Sequence, residues 1–281
     1  MILFGAAGNS DSFYAGGNKH TVEMPRWMRE RGLDAFEYSF GRGINIKAET
    51  ARLIGAEAEK HNIAMSVHAP YYINFAREGE LLEKSYGYIL DSIAMLKEFG
   101  GKRCIFHPGS QGKETREAAL ASVLKALERL TEMIAGPMYD GIYLCPETMG
   151  KNNQMGTVEE IVEICRIDGR LIPCVDFGHI NARERGYLRE ADDFRRILDC
   201  LFSGLGERAK EIHIHFSKIE YGNSGEIRHL TFSDEVFGPD FTMLAPLIKE
   251  YNMSPVIICE SDGTQAEDAI TMKEMYKEIQ P

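Results

Sequence analysis

The chain has 281 residues, of which 44% are hydrophobic and 27% are charged, a composition typical of a globular protein with a sizeable core. Its net charge of −11 argues against a general attraction to nucleic acid or anionic membranes, although not against a local cationic site. No stretch approaches the roughly 20 apolar residues that span a bilayer, and the first residues lack the pattern of a signal peptide. The six cysteines are scattered and form no CxxC pair, which predicts reduced thiols in a cytoplasmic protein.

Apolar runs rich in β-branched and aromatic residues alternate along the chain with segments of helical periodicity. The predicted strands are 2–7, 35–40, 64–69, 103–107, 142–147, 171–177, 211–216 and 255–260. The predicted helices are 23–31, 47–61, 78–99, 113–135, 157–168, 190–203, 239–251 and 266–279. This alternation predicts one α/β domain over residues 1–281, a (β/α)8 TIM barrel, with a doubly wound open sheet as the alternative. The longest segment predicted to be irregular is 216–238, and such loops are commonly functional.

Six of the apolar runs end in a histidine or a carboxylate. They are AMSVHAP (64–70), RCIFHPG (103–109), IYLCPET (142–148), LIPCVDFGH (171–179), EIHIHFS (211–217) and PVIICES (255–261). A single buried histidine is more often a hydrogen-bonded core residue, but the C-terminal ends of barrel strands meet at one mouth. Imidazole and carboxylate are the ligand types of zinc and manganese sites. The series therefore predicts a cluster of metal ions, with Glu147 able to bridge two of them, and such a cluster is suited to gripping a phosphate.

The same residues resemble the conserved blocks of the endonuclease IV family. The matching blocks are HAPYYIN (68–74), FHPGS (106–110), PETMG (146–150), VDFGH (175–179), HIHFSK (213–218), RHL (228–230) and CES (259–261), in the family's order. The resemblance extends from about the third strand to the last. It implies a (β/α)8 barrel with a trinuclear zinc centre that acts in base-excision repair, as a monomer, on double-stranded DNA containing abasic sites. A metal-bound hydroxide would hydrolyse the phosphodiester 5′ to the abasic site, leaving a 3′-hydroxyl and a 5′-deoxyribose phosphate.

The resemblance also assigns roles to individual residues. His68, His107 and Glu147 would hold the first metal; Glu147, Asp176, His213 and Glu260 the second; and His179 and His229 would contribute to the third. Glu147 and Glu260 are the candidate catalytic residues, and the expected cofactor is two to three Zn²⁺ per chain, with Mn²⁺ as the alternative. Ile227 occupies the position of a family aspartate, so the third site lacks a ligand unless Glu226 or His215 replaces it. His215 is otherwise an inward-facing barrel residue.

Candidate DNA contacts come from the same resemblance. Tyr71 matches a family tyrosine, and with Tyr72 and Arg42 it is expected to enter the minor groove beside a flipped-out abasic nucleotide, unless the tyrosines merely pack over the rim. Arg183 and Arg185 are predicted phosphate contacts. They belong to a predicted basic rim on an otherwise acidic molecule, which also includes Lys151, Arg189, Lys218 and Arg228.

The main alternative is a sugar isomerase or epimerase on the related xylose-isomerase-like barrel. Those enzymes resemble the chain in one metal-binding set, here Glu147, Asp176, His213 and Glu260. The additional histidines favour the nuclease, whereas Ile227 and the acidic charge favour the isomerase. A non-catalytic binding module is disfavoured because an open polynuclear site has no structural purpose.

Overall fold

The computed structural model describes residues 1–279 and contains a sheet of eight parallel strands. Its strands, in chain order, are β1 (Leu3–Ala7), β2 (Ala35–Ser39), β3 (Ala64–His68), β4 (Arg103–Phe106), β5 (Tyr143–Pro146), β6 (Cys174–Asp176), β7 (His213–Phe216) and β10 (Val256–Cys259). Between β7 and β10 in the chain, β8 (Lys218–Gly222) and β9 (Gly225–Leu230) form a separate two-stranded sheet. The sheet order is β5-β4-β3-β2-β1-β10-β7-β6. Parallel bridges from Leu144 to Leu171 and from Glu147 to Cys174 connect the two edges. The predicted TIM barrel is therefore confirmed, and the open sheet is excluded.

Helices surround this barrel and cover it with their apolar faces. They are α1 (Asp11–Ala15), α2 (Met24–Glu30), α3 (Ala48–Lys60), α4 (Glu80–Glu98), α5 (Arg116–Met133), α6 (Val158–Cys165), α7 (Phe177–Arg183), α8 (Ala191–Leu205), α9 (Phe241–Glu250) and α10 (Gln265–Glu278). In α8 the buried positions are Phe194, Ile197, Leu198, Leu201 and Leu205, three and four residues apart. This spacing gives the helix one apolar face, which packs into the continuous core. Across the described helices, none is long and apolar enough to cross a membrane.

The sixth strand is shorter than predicted. The expected strand 171–177 is reduced to Cys174–Asp176, and α7 follows at once. The cause is local: Asp176 Oδ1 accepts a hydrogen bond of 2.7 Å from the backbone N–H of His179, which caps the N-terminus of the helix. The cap places Asp176 and His179 on adjacent elements at the mouth of the barrel.

The segment 216–238 was predicted to be irregular, and that prediction was wrong. It contains the antiparallel hairpin of β8 and β9. The hairpin lies against the loop after β5, where Glu226 N–H donates to Gly150 O at 3.2 Å. A Cβ at Gly225 would lie 2.1 Å from that oxygen, and a Cβ at Gly150 would lie 2.7 Å from Glu226 Cβ. The two glycines thus permit the close approach that brings Glu226 to the barrel mouth.

Candidate metal centre

Three groups of imidazole and carboxylate side chains meet at the C-terminal mouth of the barrel. Within each group the potential ligand atoms lie within 4.8 Å of one another. The first group is His68, His107 and Glu147, and the second is Glu147, Asp176, His215 and Glu260. The third group is His179, Glu226 and His229. Because Glu147 belongs to the first two groups, one carboxylate could serve two cations. A fourth group, Cys174, His213 and His215, lies deeper, towards the start of β7.

Glu147 is the centre of this arrangement and is almost fully buried. Its Oε2 lies 3.2 Å from His68 Nε2 and 3.1 Å from His107 Nε2. Its Oε1 lies 2.8 Å from His215 Nδ1 and 3.5 Å from His179 Nδ1. Each oxygen therefore faces a different pair of imidazoles, as a bridging ligand requires.

The second group contains His215 where the prediction had His213. Side chains alternate along a strand, so both residues of β7 point into the barrel, but His215 is closer to the mouth. His215 Nδ1 lies 3.3 Å from Glu260 Oε2, whereas His213 Nε2 lies 3.1 Å from Glu37 Oε2. The sequence alone could not choose between two histidines on the same strand face.

The third group is completed by Glu226, one of the two substitutes considered for the family aspartate. Tyr221 pairs with Glu226 while the preceding Glu220 pairs with Arg228, so Ile227 is an extra residue in β9. Such a bulge inverts the side-chain alternation. It turns Glu226 towards His179, with Oε2 3.5 Å from Nε2, and leaves Ile227 56% exposed.

The buried carboxylates and imidazoles of the site shift one another's pKa. Burial and the neighbouring Glu260 and Glu147 raise the pKa of Asp176 to about 6. Burial disfavours a charged His179, but Asp176, Glu226 and Glu147 outweigh burial and raise its pKa to about 9. Burial likewise opposes ionisation of Glu147, yet the charge of His215 and hydrogen bonds from three histidines hold its pKa well below the usual value.

One buried atom fits a metal directly. Asp176 Oδ2 is inaccessible to solvent and has no hydrogen-bond partner among residues 1–279. A buried carboxylate oxygen without a partner is costly unless an ion or a water binds it. The three groups at the mouth offer only imidazole nitrogens and carboxylate oxygens. Together with this unpaired oxygen, such donors make the groups suitable for zinc or manganese.

Tyr71 covers the first ligand group from the solvent side. Its ring stacks on His107 with a centroid distance of 5.5 Å and an interplanar angle of 19°, and its edge meets His68. Tyr71 and Tyr72 are 53% and 57% exposed. Both tyrosines therefore present aromatic surface at the mouth, and Tyr71 lines an open cavity of about 430 Å³ above the ligand groups.

Several residues of the predicted basic rim are already engaged in the protein. Arg183 donates to the carbonyls of Met149, Lys151, Asn152 and Gln154, and thereby holds the loop after β5. Arg228 pairs with Glu220, and Lys218 donates to Phe232 O and Asp234 O. Arg183 therefore has a structural role, and its contact with phosphate stays a prediction.

Other cations at the mouth are exposed, and one of them, Arg42, lies outside the predicted rim. Arg42 and Arg185 are exposed, although Arg185 also donates to Asn223 O at 3.1 Å. Lys151 is exposed and lines the cavity above the ligand groups. These three side chains are available to an anionic substrate.

A larger cleft of about 840 Å³ adjoins the mouth, between residues 19–22 and the loop after β2. Lys19, His20 and Lys47 line it together with Tyr38 and Phe40, and no described aspartate or glutamate is part of the lining. Ser39 borders both this cleft and the groove that leads to Glu260 and His229. In a protein of net charge −11, a carboxylate-free cleft beside the ligand groups is suited to an anion.

Glu37, which the strand-end pattern of the sequence does not single out, lies at the centre of β2 and is fully buried. Its carboxylate contacts His213 and His215 from below the three groups. The available signal was a charged residue inside the apolar run AFEYS (35–39), where a core strand has no ordinary use for one.

The fold and these groups define a TIM barrel whose mouth is lined by metal-ligand side chains. A family model described as xylose isomerase-like TIM barrel matches residues 25–278. The chain belongs to this family.

Individual relatives refine that placement. An uncharacterised protein of Methanocaldococcus jannaschii is 33% identical over 285 residues, covering 99% of this chain and 98% of that protein. A probable endonuclease 4 of Staphylococcus carnosus is 32% identical over 166 residues, covering 56% of this chain and 53% of that protein. The second match confirms the resemblance to endonuclease IV, although it spans only about half the length of the Staphylococcus protein.

Among solved structures, a D-tagatose 3-epimerase-like protein has a TM-score of 0.72 and 21% identity, covering 99% of this chain and 96% of that chain. At this level of identity the similarity establishes the fold alone.

Proposed function

We propose that the protein is a metal-dependent endonuclease that cleaves double-stranded DNA on the 5′ side of abasic sites. The observation that carries the proposal is the set of three ligand groups at one mouth, two of which share Glu147. The single group Glu147, Asp176, His215 and Glu260 does not include His68, His107, His179 or His229, and the clustered ions that these four histidines add suit phosphodiester hydrolysis. The sequence similarity to a probable endonuclease 4 favours the same reaction class.

The ligand groups would hold two to three zinc ions, with manganese as the alternative. When bound, such ions polarise a phosphoryl oxygen and lower the pKa of a coordinated water towards about 7. Glu147 would serve the first two groups, and Glu260 would be a ligand in the second. Glu260 also borders the open cavity, so its carboxylate is close to where the reacting phosphate would lie.

The remaining residues would bind and position the DNA. Lys151, at the cavity, and Arg42 and Arg185, on the surrounding loops, offer charge to the phosphate backbone. Tyr71 and Tyr72 offer exposed rings that could stack where a nucleotide leaves the duplex. The cleft with Lys19 and Lys47 would accommodate the backbone beyond the scissile bond.

A direct test uses a labelled duplex with one tetrahydrofuran abasic analogue. The expected result is a single nick 5′ to the analogue with a 3′-hydroxyl end, abolished by a chelator and absent on an undamaged duplex. Glu260→Gln should abolish cleavage while retaining the fold and much of the DNA binding. The proposal is wrong if protein with its full metal content neither binds nor nicks this duplex.

The second candidate is a divalent-metal sugar isomerase or epimerase, which the similarity in fold to the D-tagatose 3-epimerase-like protein keeps in consideration. The group Glu147, Asp176, His215 and Glu260 would be sufficient for it. Conversion of a ketose by the metal-loaded protein, without nicking of the abasic duplex, would favour this candidate. Cytoplasmic location and a monomeric state stay predictions in either case.

A further inference from the structure

We infer that Glu37 is a positioning residue for the metal centre: it orients His215 so that Nδ1 faces the second ligand group. The inference extends the proposed function to a residue that is not itself a ligand. Glu37 belongs to none of the four potential ligand groups. It nevertheless contacts His215, the one imidazole that belongs both to the deep fourth group and to one of the three groups at the mouth, which we call the upper groups.

The fold places Glu37 opposite β7 inside the barrel. In the sheet order, β1 and β10 separate β2 from β7, so the side chain of Glu37 reaches across the barrel interior. Its Oε1 lies 3.0 Å from His215 Nε2. The opposite nitrogen of the same ring, Nδ1, lies 2.8 Å from Glu147 Oε1. His215 is thus held between a carboxylate below and the ligand group above.

Glu37 is itself fixed by neighbours on both sides. Ser66, its register partner on β3, donates a 2.7 Å hydrogen bond to Oε2. His213 Nε2 approaches the same oxygen at 3.1 Å. Oε2 thus accepts the hydrogen bond of Ser66 and lies beside His213, whereas Oε1 is the oxygen that faces His215. This arrangement also gives His213 a place in the site, although it is not a member of the upper groups.

Buried atoms without other partners support the pairing. Glu37 Oε1 and His215 Nε2 are fully buried, and neither has a hydrogen-bond partner elsewhere in residues 1–279. The two atoms are 3.0 Å apart, although the N–H is not aimed squarely at Oε1 in this arrangement. Each atom is costly to leave unpaired, so the 3.0 Å contact is the natural way to satisfy both.

The chemical consequence is a fixed tautomer. A proton on Nε2 that faces Glu37 leaves the lone pair of Nδ1 free for a cation. A carboxylate behind a histidine ligand also increases the basicity of that ligand, and loss of such partners typically lowers metal affinity about 10- to 100-fold. Glu37 would therefore set both the orientation and the strength of His215 as a ligand.

The test compares Zn²⁺ binding by metal-free wild type, Glu37→Leu and Glu37→Gln in competition with a chromophoric chelator. Glu37→Leu removes the acceptor and should weaken the binding of one ion about 10- to 100-fold. Glu37→Gln keeps an acceptor oxygen and should recover binding to within a few-fold of wild type. In the wild-type zinc-loaded protein, long-range ¹H–¹⁵N spectra should show His215 protonated at Nε2.

Asp34→Asn is the matched control. Asp34 precedes β2 at the opposite end of the barrel, where it contacts Arg29 and Lys273. Its substitution should lower stability without changing zinc affinity. Unchanged zinc affinity in Glu37→Leu would overturn the inference, as would a Glu37→Gln variant that binds as weakly as Glu37→Leu. If Glu37→Leu does not fold, the affinity of Glu37→Gln and the tautomer of wild type decide. None of these measurements uses DNA, so their outcome is independent of the proposed nuclease activity.

Discussion

The two histidines of β7 offer a sharp prediction, because only one of them lies among the upper ligand groups. His215→Gln and His213→Gln change the same chemistry two residues apart on one strand face. His215 Nδ1 is 2.8 Å from the shared carboxylate of Glu147, whereas His213 Nε2 faces Glu37 at 3.1 Å. The substitution at 215 should therefore remove a metal ligand, and the one at 213 should not.

The magnitude follows from the energy of a four-ligand site. Structural zinc sites bind with about 10–16 kcal/mol, so one ligand of four contributes about 2.5–4 kcal/mol, a roughly 10²- to 10³-fold change in affinity. His215→Gln should lose one ion with a change of this size, and His213→Gln should stay within about 10-fold of wild type. Calorimetric zinc titration of the metal-free proteins measures both. Equal losses, or a larger loss at His213, would refute the placement of His215 in the second group.

Three further predictions concern the surroundings of the centre. Tyr71→Leu should keep the metal content but weaken binding to an abasic duplex by about 1–3 kcal/mol, because a stacking ring is lost. Fluorescence anisotropy measures this binding, and Tyr71→Phe, which keeps the ring, should bind as wild type does. Arg183→Lys should lower the free energy of unfolding, measured in urea, by about 1.5–3 kcal/mol, because backbone carbonyls lose their donor. A changed salt dependence of DNA binding would instead indicate that Arg183 contacts phosphate. Burial opposes ionisation of Glu160, but Arg116 and two backbone N–H groups lower its pKa below 4.5. The ionised Glu160 therefore stabilises the fold above pH 4.5, and this contribution disappears as the pH falls through the lowered pKa. The difference in stability between wild type and Glu160→Gln, measured by urea unfolding, should shrink between pH 6 and pH 3.

The barrel was predictable because its signals are local and repeated. Each strand is a short apolar run, and each principal helix has apolar positions three and four residues apart, so the order of elements follows directly. The positions of most ligand candidates followed too, since the C-terminal ends of parallel strands must meet at one mouth. His68, His107, Glu147, Asp176 and Glu260 all lie where this rule places them.

The remaining features depend on contacts that sequence patterns do not encode. The choice of His215 over His213 depends on the depth of each residue in the barrel. The use of Glu226 depends on a bulge at Ile227 and on the close approach of Gly150 and Gly225. The structural role of Arg183 depends on four carbonyls in a loop that is about 30 residues away in sequence.

The number of metal ions per chain tests the polynuclear site most directly. Elemental analysis of protein purified without added metal should give close to three ions per chain, with zinc dominant. Glu226→Gln should reduce this number by one, because it removes the carboxylate of the third group. A single manganese or magnesium ion per chain, unchanged in Glu226→Gln, would contradict the three-group site and favour the isomerase.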